Sequence, residues 1–287
     1  MAGCLSGCHY AVLSPAGPVA TGDRMIMLDS LAIMLVIVIP TIIATLAVGW
    51  WFRASNRRAR YRPGFTYSGR LELITWSIPA LVIFFLGGVA WISAHTLDPA
   101  TPLPSSVPPL QVQVVSLDWK WLFIYPDQSV ASVNRLVVPA GMPFHLRLTS
   151  ASVFNVFFVP RLGSEIYTMY GMRTQLNLEA GRPGVYFGLS AHFSGDGFPG
   201  MAFDVDAVPP AQFSRWLART QASGPKLDES AYRKLLKQSS NVGPYTYRAV
   251  EPGLFDKVVG GALPPGPGPR EQKAMSIAPK EVHRHVG

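Results

Sequence analysis

The sequence predicts an α+β membrane protein: a two-helix transmembrane hairpin, then an external all-β domain, then short C-terminal helices. Three observations carry this. Two long runs, Ser30–Phe52 and Leu73–Ala94, contain no charged residue. The stretch between them is rich in arginine and has no acid from Arg53 to Arg70. Beyond residue 110 the apolar pattern changes to a period of two. The bulk numbers agree: 48% of the 287 residues are apolar and only 15% are charged, the composition of a chain with membrane segments.

The cysteines, Cys4 and Cys8, both precede the first apolar run. No disulfide framework is available to the rest of the chain. Leu5-Ser6-Gly7-Cys8 has the pattern of a bacterial lipobox, which would make Cys8 the lipid-anchored first residue of the mature protein. Only seven residues precede Cys8 and none is charged, short of a full signal peptide. Residues 1–25 therefore read as a signal remnant and N-terminal segment.

The hairpin is expected over 26–97, with spans of about 28–52 and 72–95 and a basic loop at 53–71. The first run has 23 residues. At about 1.5 Å per residue it reaches roughly 34 Å, enough for a hydrocarbon core of about 30 Å. Trp50 and Trp51 close it at the depth where aromatic belts form. Pro40 and Pro79 fall inside the runs and should kink the helices.

Six arginines (53, 57, 58, 60, 62 and 70) hold most of the chain's net charge of +8. Without them 19 basic residues face 17 acidic ones, so no face is basic enough to suggest nucleic acid. The positive-inside rule puts this loop in the cytoplasm and both the N-terminus and everything beyond His95 outside. Glu72 is the single acid at the inner edge of the second span. An acid in a first helical turn suits the helix dipole, and intramembrane acids are also often functional.

Residues 98–109, with five prolines, read as a semi-rigid linker. The external domain is expected over 110–210. Gln111–Val115, Phe144–Leu148, Arg173–Leu178 and Met201–Val205 alternate. Trp119–Tyr125, Val133–Val138, Val153–Val159 and Val185–Leu189 are β-branched or aromatic runs. Many short strands with Gly/Pro turns between them predict an antiparallel sandwich or barrel. Amphipathic helices follow at 211–240, with Asp228 as an N-cap. A largely irregular tail is expected over 241–287; its His283 and His285 could bind metal weakly, but the simpler reading is that they are part of the tail. Phosphate loops, HExxH and GxSxG are absent.

Several segments in order resemble subunit II of haem–copper respiratory oxidases. They are Asp118-Trp-Lys-Trp-Leu-Phe-Ile-Tyr-Pro126, Phe154–Gly163, Gly171-Met-Arg-Thr174, Ala180–Tyr186 and Ser190–Met201. In the cytochrome c oxidase version the last of these reads Cys-x-Glu-x-Cys-x-x-x-His-x-x-Met and holds two copper ions. Here those positions are Ser190, His192, Ser194, Phe198 and Met201, and the upstream copper-binding His position is Asn155. The frame without the ligands resembles the quinol oxidase branch. That resemblance implies a cupredoxin-like Greek-key sandwich and no cofactor bound by this chain. Haems and copper would sit in a partner subunit I, with further small membrane subunits beside it and ubiquinol as the substrate of the complex. It also implies residence in the bacterial inner membrane with a periplasmic sandwich. Glu72 would lie at the cytoplasmic mouth of a proton channel in subunit I. Trp119 and Trp121 match positions that mediate electron input in the cytochrome c enzymes; without copper, packing is their expected role.

Overall fold

The computed structural model describes residues 11–60 and 62–268; Cys8, His283 and His285 lie outside them. Helix α1 (Pro18–Trp51) and helix α2 (Gly69–Thr96) form the hairpin. Both run without a break through Pro40 and Pro79. Their apolar side chains are exposed nearly all round, among them Leu46, Trp76, Phe84 and Trp91. A helix apolar on every side needs lipid or a partner as its solvent.

Helix α1 begins well before the expected span. Its first three turns, Pro18–Asp29, add about 18 Å ahead of the uncharged run. Pro18 opens the helix at the one position where a missing N–H costs nothing. Here the helix meets the sandwich. Ala16 N–H donates to the Arg161 carbonyl (2.7 Å), and the Ala16 carbonyl accepts from Gly181 N–H (2.8 Å). Val19 and Ala20 are buried. A Cβ at Gly17 would lie 2.1 Å from the Glu179 carbonyl oxygen, and one at Gly163 would lie 2.7 Å from Val19. Ser164 Oγ donates to Asp23 Oδ2 at 3.3 Å.

The external domain has ten principal strands: β1 (Leu110–Leu117), β2 (Lys120–Tyr125), β3 (Val130–Val133), β4 (Arg135–Pro139), β5 (Pro143–Ser150), β6 (Asn155–Phe158), β7 (Ile166–Thr168), β8 (Thr174–Glu179), β9 (Gly184–Ser190) and β10 (Ala202–Val208). After them come α3 (Pro210–Ala222), β11 (Lys226–Leu227), α4 (Glu229–Leu235), β12 (Tyr245–Tyr247), β13 (Ala249–Val250) and α5 (Leu254–Val259). One sheet runs β12-β3-β2-β1-β5-β8 and the other β4-β10-β9-β6-β7. The sandwich is mixed, not purely antiparallel, because β1 pairs with β5 and β4 with β10 in parallel. Alternation along a strand reports its faces and not the direction of its neighbour.

The Val133–Val138 run is two strands. Asn134, in the left-handed region at φ 53°, turns the chain from one sheet to the other. Its side-chain oxygen accepts from Trp121 N–H at 2.7 Å. Tyr125 staples the sheets: its hydroxyl donates to the Val137 carbonyl and accepts from Val137 N–H, at 2.9 and 2.8 Å. Trp121 packs between Phe157 and Phe203 with no exposed surface. The linker covers the β8 edge, where Asn177 N–H donates to the Pro99 carbonyl at 2.9 Å.

Residues from 241 to 263 overturn the expected irregular tail. Tyr247, Leu254, Phe255, Val258 and Leu263 join Leu227, Tyr232, Leu235 and Leu236 in a second core. That core covers the outer face of β1 and β2 through Val115, Leu117, Leu122 and Ile124. Short elements conceal their periodicity, and the burial comes from the sheet they cover. The Asp228 N-cap forms, accepting from Ala231 N–H at 2.8 Å.

Gly17→Ala should destabilise the junction by about 1–3 kcal/mol through overpacking against backbone. Thermal unfolding and limited proteolysis near residues 15–30 check this; an unchanged melting curve and cleavage pattern would contradict it.

Candidate functional site

The degenerate metal loop sits where β6, β9 and β10 converge. Asn155 is the first residue of β6 and Ser190 the last of β9. The loop that follows returns at Met201, whose carbonyl accepts from Ser190 N–H at 3.2 Å. Ala191 N–H donates to the Val156 carbonyl at 3.1 Å. Tight turns close the far side, with Phe198 N–H bonded to the Gly195 carbonyl (3.0 Å) and Met201 N–H to that of Phe198 (3.0 Å).

The structure brings the expected positions together and turns four of them inward. Asn155, Ser190, Ser194 and Met201 are 1%, 2%, 5% and 2% exposed. Their polar atoms satisfy one another. Ser190 Oγ donates to Asn155 Oδ1 at 3.1 Å, Asn155 Nδ2 to the Val153 carbonyl at 3.3 Å, and Ser194 Oγ faces Met201 Sδ at 3.9 Å. His192 points outward, with its ring edge-on to Phe154 at 4.7 Å. Phe198 is half-buried against Phe193. Hydroxyls, an amide and a thioether do not fit a copper electron-transfer centre, which requires thiolate and imidazole. Among the described residues no three His, Cys, Asp or Glu side chains gather to hold a metal.

Trp119 roofs the loop, a contact that the sequence reading did not specify. It adopts φ 66°, uncommon for a bulky residue, and its Nε1 donates to the Ser194 carbonyl at 3.0 Å. A Cβ at Gly197 would lie 2.2 Å from its ring, so the indole lies flush on glycine backbone. Its neighbours anchor the C-terminal extension. Lys120 Nζ donates to the Lys237 carbonyl and to Ser239 Oγ, both at 2.7 Å. Asp118 accepts from Gly268 N–H at 2.9 Å and from the Ser152 hydroxyl. Burial lowers the Lys120 ammonium to about 8, against the pull of the Asp118 charge.

Glu72 lies about 20 residues beyond the end of α1, in the first turn of α2, far along the hairpin from the loop. Ser68 is the N-cap and makes no side-chain cap bond. Glu72 is the fourth helical residue, one past the capping-box position, and its N–H already bonds the Ser68 carbonyl at 3.0 Å. Among the described residues its carboxylate accepts no hydrogen bond.

An apolar hairpin carrying a two-sheet domain with this loop frame defines a subunit II of the cytochrome oxidase type. Residues 127–208 match the family model for the cytochrome c oxidase subunit II periplasmic domain, and 221–262 match that for the COX aromatic rich motif. The second match coincides with the extension that builds the outer core. The chain is 44% identical to cytochrome bo(3) ubiquinol oxidase subunit 2 of Pseudomonas aeruginosa, over 89% of this chain and 77% of that protein. It is 45% identical to ubiquinol oxidase subunit 2 of Acetobacter aceti (89% and 83%) and 40% to the Buchnera aphidicola protein (91% and 92%). The solved periplasmic domain of cytochrome oxidase subunit II from Bradyrhizobium japonicum aligns at 20% identity with a TM-score of 0.38, over 47% of this chain and 99% of that one. The chain belongs to the ubiquinol oxidase subunit 2 family.

Ser190→Ala should cost about 1–2 kcal/mol by leaving the buried Asn155 side-chain oxygen Oδ1 without its donor. Denaturant unfolding measures this, and a stability equal to wild type would show that the loop does not depend on the bond.

Proposed function

We propose that this chain is the non-catalytic subunit II of a proton-pumping terminal quinol oxidase that reduces oxygen to water. The observation that carries the reading is the loop frame closed by Asn155, Ser190, Ser194 and Met201. A subunit so closed offers a soluble cytochrome no copper through which to pass electrons. A membrane quinol can deliver them directly to the catalytic subunit. Haems and copper then belong to subunit I, which this chain supports through its hairpin and sandwich beside smaller membrane subunits. Cys8 anchors the chain by a lipid on the periplasmic side of the inner membrane. The exposed apolar faces of α1 and α2 support a hairpin held among lipid and partner helices.

Glu72 contributes to proton uptake on the cytoplasmic side. Support comes from its place outside the capping arrangement and from the lack of an intrachain partner for its carboxylate among the described residues.

A complex purified through this chain should consume oxygen with quinol and not with reduced cytochrome c. Uptake with cytochrome c alone would overturn the donor assignment. Material without haem or uptake would favour a tethered binding or assembly protein working without an oxidase.

Glu72→Ala should slow quinol-driven oxygen reduction several-fold while the subunit stays in the complex. Wild-type turnover in a fully assembled variant would remove Glu72 from proton uptake.

A further inference from the structure

The basic segment after α1 has a built shape. Asn56 Nδ2 caps the helix by donating to the Trp51 carbonyl at 2.6 Å, and its Oδ1 accepts from Arg58 N–H at 3.1 Å. Backbone bonds from Asn56 N–H to the Arg53 carbonyl (2.9 Å) and from Phe65 N–H to the Arg62 carbonyl (3.2 Å) fold the chain back. The result is an open cleft of about 850 Å³ whose lining includes Arg53, Arg58, Arg60 and Arg62 with Trp51, Phe52 and Phe65. Arg53 is held over the Trp50 ring at 4.8 Å and donates to Ser55 Oγ at 3.0 Å. Among the described residues none of the four lining arginines pairs with a carboxylate.

We infer that this cleft binds the headgroup of an anionic phospholipid. Two features of one place support it. The guanidiniums supply bidentate donors for a phosphate. The aromatic side of the cleft continues into the uncharged run of α1, along which acyl chains can lie. Trp50 and Trp51 mark the interface depth, so the cationic side lies at the level of cytoplasmic-leaflet phosphates. A soluble anion would use the arginines and leave Trp51, Phe52 and Phe65 exposed. A zwitterionic lipid would use the apolar side and gain less from the guanidiniums. Arg57 carries the same charge in the same loop but does not line the cleft, and so serves as an internal control.

The test uses the delipidated complex purified through this chain and native mass spectrometry during titration with phosphatidylglycerol, phosphatidylcholine or inorganic phosphate. Wild type should hold phosphatidylglycerol that the other two do not displace. The double variant Arg58→Gln, Arg60→Gln should weaken one such site about thirtyfold, since each interfacial arginine contributes about 1 kcal/mol. Arg58→Lys, Arg60→Lys should fall between wild type and the glutamine variant, because it keeps the charge and loses the bidentate donors, and Arg57→Gln should keep all of the affinity. An equal loss in Arg57→Gln would reduce the site to diffuse charge and overturn the proposal. So would equal retention of phosphatidylcholine, displacement by phosphate alone, or no difference between wild type and the double variant. If the double variant does not assemble, Arg62→Gln alone replaces it with the same expected direction.

Discussion

The structure depends on how the first helix enters the sandwich. Ala16 bridges two loops of the external domain through both of its backbone groups, and Gly17 passes against the Glu179 carbonyl where no side chain fits. From that fixed point α1 runs as one continuous helix into the uncharged segment. The second attachment is the linker after α2, strapped to the β8 edge through Asn177. Leu97, at the end of α2, packs on Gly22 of α1. Two chain crossings joined to each other and to the sheet leave the sandwich little freedom to swing over the membrane. A single flexible tether would leave it free to do so.

That rigidity gives meaning to the closed loop. Removing metal ligands from a buried site does not by itself leave a stable fold, because buried polar groups need partners. Here the replacements satisfy one another: a serine hydroxyl for an amide oxygen, and a second hydroxyl against a thioether. The loop keeps its backbone path and the domain its shape.

Much of this was legible in the sequence because membrane spans and sandwich strands obey strong local rules. The two uncharged runs, the arginine loop and the alternating segments each reported one physical demand. The Asn134 corner was hidden because its flanking valines form one continuous apolar run, and only a left-handed φ divides it. The outer core was hidden for a related reason. Trp121 to Tyr125 does not alternate, the mark of a strand buried on both faces, but a sequence does not say what covers the second face. The cover proved to be α4 and α5 with Leu227 and Leu263, elements too short to show a period, while β12 extends the same sheet at its edge. The extra turns of α1 escaped because Asp23, Arg24 and Asp29 end the uncharged run without ending the helix.

The turn Asp118-Trp119-Lys120 joins these features. Trp119 lies on the loop glycines, while Asp118 and Lys120 hold residues 237–268 through hydrogen bonds to backbone and serine. The left-handed backbone at Trp119 carries a cost that persists only when its surroundings fix it, and both sets of contacts do so. An aromatic with a purely electronic role needs only its ring position. This one is fixed by its indole N–H, its backbone angle and two anchored neighbours. Trp121, one residue past Lys120, is sealed between phenylalanines in the main core. The aromatic strand therefore serves here as the joint between inner core, outer core and loop. That role requires no copper.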